Sequence, residues 1–190
     1  KLKAALELLA KYPAPLAFVG RKDHPLQADK RLDPSLREHL RLAVPHPRLQ
    51  QITKLCQHYR VEAVFYGAEN YPPALANILA PPLILWHRGD LAAALQQVCL
   101  AVVGTRKPTA YGRASCAKLL GPVCKQGATI VSGLANGIDT VAHTTALENA
   151  SRTIAVLAGG LETIYPPNNR DLAERIIAQG ALVSEFDPGT

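Results

Sequence analysis

Methionine is absent from this 190-residue chain, tryptophan occurs once and phenylalanine three times. The missing initiator residue predicts that these residues belong to a longer gene product. No apolar run approaches the roughly 18 residues that span a bilayer as a helix. The longest candidate, Pro82 to Trp86, is strand-sized, so no membrane association is expected. The opening Lys1-Leu2-Lys3 reads as an amphipathic helix and not as a secretory leader. Cys56, Cys99, Cys116 and Cys124 form no C-x-x-C pair, which predicts reduced cysteines packed as small hydrophobes in a reducing, cytoplasmic compartment. The six histidines form no H-x-x-x-H pair, so no metal is expected.

Sequence signatures of cofactor chemistry are missing too. There is no G-x-G-x-x-G after the first parallel strand and no G-x-x-x-x-G-K-[ST], which disfavours nucleotide cofactors. No G-x-S-x-G elbow surrounds Ser132, which disfavours a serine nucleophile. Neither a cofactor nor a catalytic residue is expected.

What is present is a local imbalance of charge. The net charge is +6. From Cys99 to Ile138 the chain carries Arg106, Lys107, Arg113, Lys118 and Lys125 and no acid, whereas acids predominate from Asp139 onward. A basic segment in a nearly neutral region suits a phosphate-bearing partner, although a solvated helix face has the same composition.

Nearly half of the residues are hydrophobic, enough for a packed core. Residues 1–59 read as a small helical domain, with Leu2, Leu6 and Leu9 on one helix, Leu36, Leu40 and Ala43 on a second, and Leu49, Ile52 and Leu55 on a third after Pro47. Residues 60–190 read differently. Strands are expected over Val61–Tyr66 and Leu83–His87, with a short helix between prolines 73 and 81. Further strands are expected over Leu100–Val103, Thr129–Ser132, Thr153–Ala158 and Ala181–Ser184. Helices are expected over Tyr111–Lys125, Ile138–Glu148 and Asn169–Ala178. Apolar strands joined by helix-length crossovers predict an α/β fold with a doubly wound, mostly parallel sheet.

Ligands of such sheets sit at the carboxyl ends of the strands. Three of those ends carry glycine loops: Gly104-Thr105-Arg106-Lys107, Gly133-Leu134-Ala135-Asn136-Gly137 after Ser132, and Gly159-Gly160. Parallel strands bring all three to one rim, where Arg106 and backbone N–H groups are expected to hold an anion. Asp139 and His143, four apart on one helix, fit either a carboxylate-oriented base or a first-turn acid beside a packing histidine. The structural reading is favoured.

The ordered set Tyr71-Pro72-Pro73-Ala74-Leu75, Pro81-Pro82-Leu83, Arg88-Gly89, Val102-Val103-Gly104-Thr105-Arg106, Val131–Asp139 with Ala142-His143, Thr153–Leu157, Gly160-Leu161, Tyr165-Pro166 and Ser184-Glu185 resembles the DNA-processing protein A family (DprA, or Smf) of bacterial transformation. The resemblance covers more than half of the chain. It implies an extended Rossmann fold preceded by a sterile-alpha-motif-like helical domain, and single-stranded DNA in a positive pocket, bound without strong sequence preference. It also implies delivery of that DNA to the recombinase RecA and a homodimer formed through residues beyond Thr190. On this resemblance the DNA-binding residues are Gly104, Thr105, Arg106, Lys107, Ser132, Gly133, Asn136, Gly137, Gly159 and Gly160. Pro167 stands where some members place a lysine, so Arg170 or Lys107 is expected to compensate. The sequence ends before the family's basic and aromatic segment, which predicts a truncated domain.

Two other functions compete with that reading. Ala158-Gly159-Gly160-Leu161-Glu162 partly matches a signature of Rossmann-type nucleotide or phosphoribosyl hydrolases. Alternatively, the basic face of residues 1–60 docks an acidic protein.

Overall fold

A computed structural model describes residues 47–190. The first two predicted helices, and with them most of the sterile-alpha-motif-like domain, lie outside the described residues. The third begins at Pro47, where a missing N–H costs a helix nothing, and forms α1 (Pro47–Tyr59). Ile52 of α1 is buried in one apolar cluster with Trp86, Leu134, Ala155, Leu161, Leu172, Ile176 and Leu182.

The chain continues through β1 (Glu62–Phe65), α2 (Pro73–Ala76), β2 (Ile84–Gly89), α3 (Leu91–Ala94) and β3 (Cys99–Ala101). It then alternates: α4 (Ala110–Lys125), β4 (Thr129–Ser132), α5 (Ile138–Glu148), β5 (Thr153–Val156), α6 (Arg170–Gln179) and β6 (Ala181–Ser184). A 3-10 turn at Pro167–Asn169 leads into α6. The helix starts follow local chemistry. Thr109 caps α4 by accepting the Gly112 N–H at 3.1 Å, and Asp90 caps α3 by accepting the Ala93 N–H at 2.9 Å.

The six strands form one mixed sheet in the order β1-β2-β6-β5-β4-β3. β3 through β6 are parallel, and Leu100, Ile130 and Thr153 follow one another across β3, β4 and β5. β2 adds antiparallel to β6, with Trp86 opposite Ser184, and β1 adds antiparallel to β2. The α/β class is as expected, but the winding departs from the doubly wound expectation. Within the described residues β3 to β6 advance in one direction without reversal, so right-handed crossovers bring α4, α5 and α6 to the same face. The three helices accordingly pack side by side, α4 on α5 and α5 on α6. On the other face the short helices α2 and α3 cover Val64, Leu85, Ile154 and Val183.

Strand periodicity alternates between these faces. Ile130 joins Leu120 and Cys124 of α4 and Ala142 and Ala146 of α5, while Val131 packs toward the opposite cluster. Cys124 is buried, which raises its thiol pKa, and Cys56 and Cys116 are half-buried, but Cys99 is exposed on the edge strand β3, against the expectation that the cysteines pack inside. Among the described residues no helix is long and apolar enough to cross a membrane.

Candidate functional site

The carboxyl ends of β3, β4 and β5 lie on one rim, and their loops are tied together by backbone contacts. The Ile138 N–H, first in α5, donates to the Thr105 carbonyl at 3.1 Å. Gly137, with φ of +92°, makes this approach possible, because a Cβ there would collide with the Thr105 carbonyl and the Arg106 backbone. A Cβ at Gly104 would likewise collide, here with the Ile138 side chain. Thr105 accepts the Lys107 N–H on its hydroxyl at 3.2 Å, which shapes the turn that presents Arg106.

The second loop is held from below by Asp139. One carboxylate oxygen of this buried residue accepts the N–H groups of Gly133 at 3.2 Å and Ala135 at 3.3 Å. Thr140 donates to the Ala135 carbonyl at 2.8 Å, and the buried Asn169 amide donates to the Leu134 carbonyl at 2.8 Å. The third loop rests on Ser184, whose hydroxyl donates to the Gly159 carbonyl at 2.8 Å. The Gly160 N–H donates to the Thr190 carbonyl at 3.2 Å, and Glu162 accepts the Gly189 N–H at 3.0 Å.

Between the three loops lies a cavity of about 360 Å³. Of the residues predicted from sequence, Arg106, Gly133, Asn136, Gly159 and Gly160 line it. Tyr165, three-quarters exposed, and Thr163 line it as well. The other predicted residues lie outside the lining. Ser132 is buried and spends its hydroxyl on the Val102 carbonyl at 2.7 Å. Gly104, Thr105 and Gly137 form the junction beneath Arg106. Lys107 and Arg170 are exposed beyond the lining residues.

Several backbone N–H groups of the rim are already engaged. Those of Gly133, Ala135 and Gly160 donate to Asp139 and Thr190, and Arg106 is the one charged side chain among the lining residues. None of the ion pairs among the described residues involves Arg106.

Asp139 and His143 do not pair. The fully buried His143 meets Thr153 Oγ1 through Nδ1 at 2.7 Å, and the Thr153 hydroxyl donates to the Ile130 carbonyl at 2.8 Å. Desolvation lowers the His143 pKa to about 4, so the ring is neutral at physiological pH. It packs in the core and does not reach the rim. Sequence reasoning missed Asn169 as a loop support, since an asparagine ahead of a helix reads first as a cap. Among the described residues no group of acids, histidines and cysteines is arranged to hold a metal.

Comparison with known proteins accords with this geometry. Residues 62–190 match the family model of DNA recombination-mediator protein A. DNA processing protein DprA of Bacillus subtilis is 35% identical over 145 residues, which are 76% of this chain and 49% of that protein. Protein Smf of Synechocystis is 44% identical over 124 residues, 64% of this chain and 31% of that protein. The chain therefore spans about half or less of these relatives. The crystal structure of DprA from Streptococcus pneumoniae superposes with a TM-score of 0.76 at 27% identity, covering 100% of this chain and 64% of the other. A Helicobacter pylori DNA processing protein A structure, solved for its single-stranded DNA binding mode, gives a TM-score of 0.61 at 32% identity over 70% of this chain and 58% of the other. With a family match across the whole sheet and the rim that it carries, this chain belongs to the DNA recombination-mediator protein A family.

Proposed function

We propose that the rim cavity binds single-stranded DNA without strong sequence preference, and that the protein passes this DNA to a RecA recombinase in the cytoplasm. The observation that carries the reading is the convergence of Arg106 and Tyr165 on one cavity floored by glycine loops. An arginine facing a groove grips phosphate whatever the base, and an exposed tyrosine ring offers a stacking face to any base, worth about 1–3 kcal/mol. Lys107 and Arg170 flank the cavity and add phosphate contacts where Pro167 offers no charge. Gly104, Thr105, Ser132 and Gly137 act indirectly, by fixing the loops.

Binding without catalysis accounts for the carboxylates of the rim. One oxygen of Asp139 accepts two backbone N–H groups and one oxygen of Glu162 accepts the Gly189 N–H, as supports of a binding surface would, while Glu162 Oε2 is buried without a partner. Membership in a family of recombination mediators supports the RecA step. A sterile-alpha-motif-like domain over residues 1–59 and a homodimer through residues beyond Thr190 complete the proposal.

Fluorescence anisotropy of labelled oligo-dT, against duplex of equal length and at two salt concentrations, tests it. Wild type is expected to prefer the single strand and to weaken with salt, and Arg106→Glu to lose most of the binding. Equal binding by both proteins would discard the cavity as the site.

A further inference from the structure

We infer that the outer face of α4 extends the single-strand path beyond the rim cavity, with Lys118 and Lys125 holding the phosphodiester backbone and Tyr111 marking the entrance. This inference rests on the single-stranded DNA reading of the cavity.

The three residues are seven apart, which is close to two helical turns, so they fall on one stripe of α4. Tyr111 is 83% exposed, and Lys118 and Lys125 are exposed as well. The opposite side of the helix buries Leu120 and Cys124 against Ile130, Ala142 and Ala146, which fixes the stripe toward solvent.

Three further observations make this more than a solvated helix face. None of the ion pairs among the described residues involves Arg106, Lys107, Arg113, Lys118 or Lys125. No acid occurs anywhere from Cys99 to Ile138, whereas α6 mixes Arg170, Asp171, Glu174 and Arg175 as an ordinary surface helix does. The stripe is also continuous with the cavity, because Thr109 caps α4 only three residues after Arg106 and Lys107 stands between them.

A helix of 16 residues is about 24 Å long. A stacked strand at about 3.4 Å per nucleotide covers that distance in roughly seven nucleotides. The line of Tyr111, Lys118 and Lys125 is narrow and cationic with an aromatic at its head, which fits a flexible polyanion, and the exposed Leu119 beside Lys118 offers a base an apolar contact.

The test compares oligo-dT of about six nucleotides, enough for the cavity, with one of about twenty that reaches along α4. Binding by the full chain is measured by anisotropy across a salt series. Lys118→Glu/Lys125→Glu is set against Lys54→Glu/Arg175→Glu, which changes the net charge equally on other helices. The stripe variant is expected to weaken the long oligonucleotide about tenfold and to lower its salt slope by about 1.4 for two lost contacts, with less than a twofold change for the short one. The control variant is expected to move both lengths slightly and alike. Unchanged affinity and slope for the long oligonucleotide would overturn the inference, and so would equal losses in the two variants or equal losses at both lengths. If wild type bound neither length, the DNA reading itself would fall, and this inference with it.

Discussion

The Thr105 carbonyl accepts the N–H of Ile138 at 3.1 Å, so the turn that presents Arg106 is fastened to the first residue of α5. The β3 loop and the β4 loop are one mechanical unit, and a disturbance of either reaches the arginine.

Gly137→Ala tests that coupling. Its φ of +92° is strained for alanine, and the added Cβ would meet the Thr105 carbonyl and the Arg106 backbone. A stability loss of about 1–3 kcal/mol in urea unfolding is expected. Single-strand affinity should fall by at least tenfold, although no cationic group has been removed.

Asp139→Ala should leave the Gly133 and Ala135 N–H groups without their carboxylate. The expected cost is about 1–3 kcal/mol. Amide exchange should speed up at residues 133–135, while α6 keeps its protection. If exchange at these positions stayed slow, the carboxylate would not be what holds the loop.

His143 gives the protein an acid-sensitive core. Its folded pKa of about 4 lies below the usual 6.5, so the unfolded chain takes up a proton over a range where the folded one does not. The associated stability is fully present above pH 6.5, declines as pH falls toward 4, and changes no further below that. The loss amounts to about 3 kcal/mol at most. Denaturant unfolding at pH 7.5, 5.5 and 4.5 should show this decline in wild type and a shallower one in His143→Gln.

Arg106→Lys separates charge from shape. A lysine keeps the positive charge but loses the planar fork that grips a phosphate through two parallel bonds. Affinity for oligo-dT should drop about threefold to tenfold, with the salt slope nearly preserved. Arg106→Glu should lower both.

Much of the fold was legible because local and global signals agree. β4 and β6 are apolar runs bounded by glycine or polar residues, and the structure returns both with the predicted limits. The limits of α5 follow from Gly137 at one end and Asn149 at the other. β3 ends at Ala101, two residues earlier than predicted, and β5 ends at Val156. In both, the apolar pattern continues after the ladder has stopped, since Val102 and Leu157 remain partly or fully buried in the loops. Single-direction winding was invisible, because strand order is decided by tertiary pairing. So was α3, whose Leu91–Ala94 stretch is too short for a period to show. Glycines and Arg106 marked the rim, but which rim N–H groups were already engaged depended on where the Asp139 carboxylate points. A first-turn acid carries no such information in one dimension.

The pairing of Trp86 with Ser184 sets an order of events during synthesis. β2 emerges from the ribosome well before β6, the parallel strand through which alone it joins the rest of the sheet. At about 5–20 residues per second, the roughly 90 residues between them take on the order of 5–20 s to appear. Through that interval the β1–β2 ribbon has no sheet to join and offers an open edge to any passing strand. Contacts so distant in sequence form late, after their loop-closure cost has been met. A nascent-chain binding factor that shields residues 62–89 would therefore raise the yield of folded protein more than one acting on the helices that follow.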